Sequence, residues 1–256
     1  MHHTYVGIDF ATIAIFAFFG FFVMLILYLR REDRREGYPL EEDPSGRVRT
    51  NGGVLFTAPP KTFHQPYGWG DVTVPNGDRD RRPLTARRTS IVPGSPLEPT
   101  GNPMLAGVGP GSYAERARVP DVTIHGQPKI VPLRAAAGFF VAKGDPDPRG
   151  MRVIGTDGVA VGTVVDAWVD RVEVMIRYLE VSLGTSETTV LVPMTMAKIN
   201  KSRRQVKVDA ITAAQFADVP RLEQPDQITF YEEERVTAYY GAGFLYATPA
   251  RSEPIL

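Results

Sequence analysis

No cysteine occurs in the 256 residues. That absence removes disulfides, thiolate metal sites, iron–sulfur clusters and c-type haem attachment together. Histidine is scarce, with only His2, His3, His64 and His125, so an imidazole metal centre or a His-based triad has little to draw on. Net charge is absent as well: 29 Lys and Arg face 29 Asp and Glu. A balanced chain lacks the basic excess that a nucleic-acid partner would select. There is no P-loop, no zinc-binding helix motif and no serine-nucleophile motif. The glycine-rich "GVGPG" and "GAG" lack the strand-before, helix-after context of a dinucleotide site. No catalytic, cofactor-binding or metal-ligating set emerges, and enzyme is a poor reading.

Long apolar character is present, and in one place. Phe10 to Leu29, "FATIAIFAFFGFFVMLILYL", carries no charge over twenty residues. A helix of that length spans about 30 Å, the hydrocarbon thickness of a bilayer. A signal peptide would need a basic start and a small-residue cleavage site; here Asp9 precedes the run and Leu-Tyr-Leu-Arg-Arg ends it. A retained transmembrane helix over 10–30 is predicted, with a buried core helix as the competing reading. Arg30, Arg31, Arg34 and Arg35 cluster after the span and none precedes it. The excess of cations on that side predicts that residues 1–9 face outward and that the remainder lies in the cytoplasm. Tyr28, Arg30, Arg31 and Arg34 are the expected membrane-interface residues, with Tyr5 near the other end. With no ionisable group inside, the span is an anchor or packing element rather than a proton path. Beyond it, "REDRRE" can carry the helix onward through ion pairs such as Glu32 with Arg35.

Residues 38–150 hold 17 of the 22 prolines. Such a stretch cannot continue a helix or a central strand. Phe63, Tyr67, Trp69 and Tyr113 are interspersed in it, which disfavours a plain linker. Residues 31–150 are read as a helix extension followed by an irregular wrap on a partner, with disorder as the alternative. From Met151 the pattern turns to strands, and 151–220 reads as a small β-barrel or sandwich. Thr156-Asp157-Gly158 is a hairpin turn. "RYLEVSL" alternates, placing Leu179, Val181 and Leu183 on one face and Glu180 and Ser182 on the other. Further turns fall at Gly184-Thr185-Ser186, before "TVLVP", and at 201–204, before Val206 and Val208. Thr212 and Gln215 suggest a capping box for a short helix that stops at Pro220. Within 221–256 a last helix is expected in "ITFYEEERVTAYYGAG", ended by Gly241 and Gly243. The fold class is thus a single N-terminal transmembrane helix plus a mostly-β domain.

Two clusters of charge remain. "DAWVDRVEVMIRYLE" brings Asp166, Asp170, Glu173, Arg177 and Glu180 within fifteen residues, and "PDVTIHGQPK" holds Asp121, His125 and Lys129. Carboxylates interleaved with His and Arg can form a proton relay, because burial and neighbouring charge spread their pKa values. A solvated charged face on a barrel gives the same spacing.

Several stretches, in order and over nearly the whole chain, resemble the H subunit of the purple bacterial photosynthetic reaction centre. They are "YLRREDRREGYPL", "PKTF", "PTGNPM", "GVGPGSYAERA", "KIVPLRAAAGF", "DPRG", "WVDRVEVMIRYLEV", "FADVP" and "DQITFYEEERVTAYYGAGFLYATP". The resemblance implies one membrane helix and a cytoplasmic domain built on a PRC-type β-barrel. It implies partners: the L and M subunits, membrane lipids, and in many members an antenna ring or a cytochrome subunit. Bacteriochlorophyll, bacteriopheophytin, quinones and non-haem iron are then expected in those partners and none on this chain. The family caps L and M, shields the secondary quinone and helps conduct protons to it. By resemblance Glu173 matches a buried relay carboxylate, Asp170 a further carboxylate or reservoir, and Arg177 the charge that keeps them partly ionised. Some members carry Asp followed by His-x-His as a proton inlet that also binds divalent metal. Here those positions read Thr123, His125 and Gln127, so a weakened or moved inlet is expected, with Asp121, His125 and Lys129 as local candidates and no tight metal site. A membrane-anchored docking module unrelated to photosynthesis is the alternative function, and a membrane-tethered hydrolase a third.

Overall fold

The computed structural model describes residues 9–35, 37, 40–41, 48–49, 58–78, 80, 82–92, 94–184 and 188–252. Expectations that involve Tyr5, Glu36 or Ser186 lie outside the described residues. The described residues fall into two units, one within 1–81 and 91–94 and the other within 82–90 and 95–256.

The first unit contains the helix α1, Phe10–Glu32. Its sequence has no proline, and Asp9 caps it by accepting a hydrogen bond from the Thr12 amide at 2.7 Å. No residue of α1 is buried within the chain, which is the signature of a helix whose apolar surface belongs against lipid or other subunits. It is long and apolar enough to cross a membrane. Arg30 and Arg31 sit in its last turn, where cations complement the helix dipole. The expected Glu32–Arg35 ion pair forms at 2.8 Å, but across a change of geometry: Asp33–Arg35 is a 3-10 turn rather than further α-helix. Tyr28 lies 5.9 Å from the Arg31 guanidinium, and Arg30 pairs with Asp33 at 3.4 Å. The same unit holds two small antiparallel ladders. They are β1 (Leu40–Glu41) with β2 (Val48–Arg49), and β3 (Lys61–His64) with β4 (Asp71–Val74).

The second unit opens with the hairpin of β5 (Ala86–Arg88) and β6 (Leu97–Pro99). Its sheet has seven strands: β7 (Ile130–Pro132), β8 (Arg152–Ile154), β9 (Ala160–Asp170), β10 (Met175–Ser182), β11 (Thr189–Pro193), β12 (Ala197–Asn200) and β13 (Gln205–Val208). The order is β11-β10-β9-β8-β13-β12, with β7 also on β9. All neighbours are antiparallel except β13 with β8. β9 organises the sheet. One edge pairs with β10, while the other pairs with β8 near its start and β7 near its end. Among the described residues the sheet is not closed: β11 and β12 end the strand order without pairing to each other. Its core is Trp168, Leu179, Val181, Val192, Val206, Val208, Ile211, Phe216 and Tyr240, all at 0% exposure.

The expected polar face of β10 is corrected by Glu180, which is itself buried. It is enclosed because two donors reach it: Arg134 at 2.6 Å and the Trp168 indole at 3.0 Å. Of the expected capping box at Thr212, only the Gln215 side chain accepting from the Thr212 amide is observed, at 2.9 Å. The segment it begins, Ala214–Asp218, is a 3-10 helix.

The last helix, α2, spans Phe230–Tyr246 and starts on a full capping box between Thr229 and Glu232. It runs through Gly241 and Gly243 instead of ending there. These glycines serve approach, not termination. A Cβ on Gly241 would lie 2.7 Å from the Pro110 carbonyl oxygen, and one on Gly243 would lie 2.4 Å from the Ala210 carbonyl oxygen. Gly111 answers from the other side, where a Cβ would meet the Ala242 methyl at 2.9 Å. Gly243→Ala should therefore destabilise the protein by about 1–3 kcal/mol through overpacking, although alanine is the better helix former. A thermal melt with a raised midpoint would contradict this close approach.

Candidate functional site

The site grows from the turn that joins β9 to β10. Asp170 ends β9, and its Oδ1 accepts the amides of Val172 and Glu173, each at 2.9 Å. Its backbone carbonyl accepts the Val174 amide at 2.9 Å. Val174 takes a left-handed backbone, φ 55°, which closes the turn at the cost that such a conformation carries for a β-branched residue. The Asp170 side chain is completely buried. Its Oδ2 makes no aligned hydrogen bond among the described residues and is faced by two cations, Lys129 Nζ at 3.4 Å and Arg177 Nε at 3.7 Å.

Arg177 reaches that position because β10 is bulged. The register passes from Ile176–Val169 to Tyr178–Trp168, leaving Arg177 without a cross-strand partner. A bulge of this kind re-aims a side chain. Lys129 arrives from β7, since Ile130 pairs with Asp170. Its ammonium stands 3.4 Å from Asp121, 3.4 Å from Asp170 and 3.3 Å from Glu173. Burial works against its charge, but the Asp170 carboxylate, the Glu173 hydrogen bond and Asp121 outweigh burial and raise its pKa. Lys129 is thus a firmly held cation at the centre of three carboxylates. Among the described residues no three His, Asp or Glu side chains converge as metal ligands.

The structure brings together Asp121, Lys129, Asp170, Glu173 and Arg177. Glu173 is not buried within this chain: its side chain is 48% exposed, because it rides on the tip of the turn. His125 stands apart. It lies on a separate turn in which the Gly126 amide donates to the Thr123 carbonyl at 2.9 Å, and its exposed ring makes no hydrogen bond or ion pair among the described residues. The span-end residues Tyr28, Arg30, Arg31 and Arg34 belong to the other unit.

Asp166 and Glu180, grouped with these by sequence, form a different cluster. They face each other across β9 and β10 and share one cation, Arg134, at 3.2 and 2.6 Å. Arg134 also pairs with Asp226 at 3.0 Å and donates to the Pro225 carbonyl at 2.7 Å. Its single signal in the sequence is a lone arginine inside the apolar stretch "IVPLRAAAGF". Two further groups beside the site escaped sequence reading: Glu233 on α2 and Tyr178 on β10, joined by a 2.9 Å hydrogen bond from the phenol. The capped start of α2 was the available signal for Glu233.

Residues 3–135 match the family described as photosynthetic reaction centre, H-chain N-terminal region. Residues 141–215 match the PRC-barrel domain. The first match covers more than half of the chain, and together they take in the apolar helix and strands β7 to β13. A docking module unrelated to photosynthesis is set aside. The chain belongs to the H-chain family of the photosynthetic reaction centre and carries a PRC-barrel domain.

Proposed function

We propose that this chain covers the cytoplasmic face of the L and M subunits, shields the secondary quinone they hold and passes protons toward it when it is reduced. The single observation that carries the proton role is Asp170. It is a completely buried carboxylate, faced by Lys129 and Arg177 and joined through Lys129 to the half-exposed Glu173. A carboxylate taken out of water between two cations is costly. Beyond closing the turn through Oδ1, Asp170 leaves Oδ2 turned to Lys129 and Arg177, the setting of a functional acid. In this reading bacteriochlorophyll, bacteriopheophytin, quinones and non-haem iron belong to the partners. Residues 10–30 cross the inner membrane with 1–9 outside. Residues 31–150 carry the helix extension and the wrap along the partners, 151–220 hold every strand of the barrel sheet except β7, and 221–256 supply the last helix and tail.

The chemistry asked of the chain is modest. Glu173, at the rim, takes up and releases a proton at its carboxylate. Asp121 contacts the same ammonium and reloads the cluster. Lys129 and Arg177 face the buried Asp170 carboxylate and offset the cost of enclosing it. His125 sits outside this constellation, which agrees with an inlet moved away from Thr123 and Gln127.

Glu173→Gln in the assembled complex tests the reading. The second, proton-coupled reduction of the quinone, followed by flash kinetics, should slow by about tenfold or more, the loss typical of removing a positioned proton donor. Primary charge separation should be unchanged. A second reduction at the wild-type rate would remove Glu173 from the path.

A further inference from the structure

Behind the Lys129 cluster the protein keeps a cleft of about 290 Å3. At about 30 Å3 per molecule it has room for several waters. Asp121, Lys129 and Arg177 line it together with Tyr178, Glu233 and Thr237. Arg116 and Glu234 stand at it as an ion pair, 3.4 Å apart. No expected role covers Glu233, yet its placement is specific. It lies in the first turn of α2, half-buried, and one carboxylate oxygen accepts the Tyr178 hydroxyl at 2.9 Å.

We propose that this cleft is a second proton inlet, with the Glu233 carboxyl as its relay and Tyr178 as the residue that positions it, feeding the Asp121–Lys129–Asp170 cluster. The inference rests on the proton-conducting reading above.

Geometry carries the inlet. Tyr178 fixes one oxygen of Glu233 and leaves the other to the cleft, where water can bridge to Asp121. Asp121 already touches Lys129 at 3.4 Å. The electrostatics agree. Burial raises the Glu233 pKa above the ordinary carboxylate value; the Tyr178 hydrogen bond and Arg177 oppose this, and Asp121 adds to it. A carboxyl moved upward in this way exchanges protons closer to neutral pH, as a relay must. Burial, with the Glu233 charge beside it, raises the Tyr178 phenol as well, so the phenol stays a neutral donor throughout. The contrast is with the turn at 123–127, which offers only the exposed His125 between Thr123 and Gln127.

The test is the pH profile of the second quinone reduction in the assembled complex, comparing wild type with Glu233→Gln, Glu233→Asp and Glu173→Gln. Glutamine keeps an acceptor for Tyr178, and the pigment absorption of the purified complex reports assembly. Glu233→Gln should slow the reaction by about three- to tenfold near neutral pH and erase one titration step, with Glu233→Asp restoring part of both. A Glu233→Gln profile that overlays wild type while Glu173→Gln is slow overturns the inlet and leaves the relay reading intact. A uniformly scaled profile that keeps every titration step assigns Glu233 a structural role and overturns the inlet too. Wild-type behaviour in all variants sinks both.

Discussion

Arg134→Ala should lower the unfolding free energy by about 2–3 kcal/mol, less than the loss for a wholly buried ion pair because the Arg134 side chain is itself 42% exposed. That is a sizeable part of a total that is about 5–15 kcal/mol for ordinary domains. The reason lies in register. Asp166 and Glu180 are direct cross-strand partners on β9 and β10, a position where like charges repel. Their side chains are only 7% and 10% exposed, so water screens them poorly. Arg134 neutralises both and also fastens the 225–226 segment. Without the guanidinium, Glu180 keeps only the Trp168 indole and Asp166 only the backbone amides of residues 134 and 167, and no cation stands between the two carboxylates. Denaturant titration of the detergent-solubilised chain should show an earlier midpoint with an unchanged slope. The triple replacement Arg134→Met, Asp166→Asn, Glu180→Gln should recover most of it, because removing a whole buried charge set is far cheaper than breaking it. A loss below about 1 kcal/mol in the single variant would place the cluster among surface pairs of little consequence.

Asp170→Asn has the larger functional effect. Asparagine retains the Oδ1 acceptor that receives the Val172 and Glu173 amides, so the turn should persist. What disappears is the buried negative charge facing Lys129 and Arg177. Within the cluster Lys129 and Arg177 are then balanced only by Asp121 and Glu173, and on the proposed reading the pull on an arriving proton weakens. The second quinone reduction should slow by about tenfold or more, while the first, which needs no proton, should proceed at its normal rate. Lys129 would not simply discharge to compensate. Its pKa lies above the ordinary value of 10.5, so its stabilising charge is complete below that value and is lost only as pH rises through the folded one. Neutral pH is well inside the charged range, even after one of three carboxylates is gone. Equal slowing of the first and second reductions would point to damaged docking instead of a lost charge.

Much of this architecture was legible because it follows from short-range rules. The apolar helix announces itself by length and by the arginines behind it. The strands from 152 to 208 show as alternation between turn residues. What stayed hidden is what depends on distant chain. Gly241 and Gly243 read locally as stops; only the carbonyls of Pro110 and Ala210 show that they are contact points. Ile130–Pro132 lies in proline-rich sequence, yet it completes an edge of β9 and so carries Lys129 to Asp170. Lys129 looked peripheral for that reason, and Asp166 and Glu180 looked like part of one cluster. Spacing along a strand cannot say which cation, forty residues away, stands between two acids.

The bulge at Arg177 sets a rule for how this stretch can vary among relatives. Side chains on a strand alternate, so losing or gaining one residue between Met175 and Tyr178 would exchange the faces of everything beyond it. Tyr178 would leave Glu233, and Glu180 would leave Arg134, although the hairpin could still close its backbone ladder. Substitutions within the segment can be absorbed one at a time; changes of length cannot. The spacing between Asp170 and Glu180 is therefore expected to be inherited intact even where the residues between them drift.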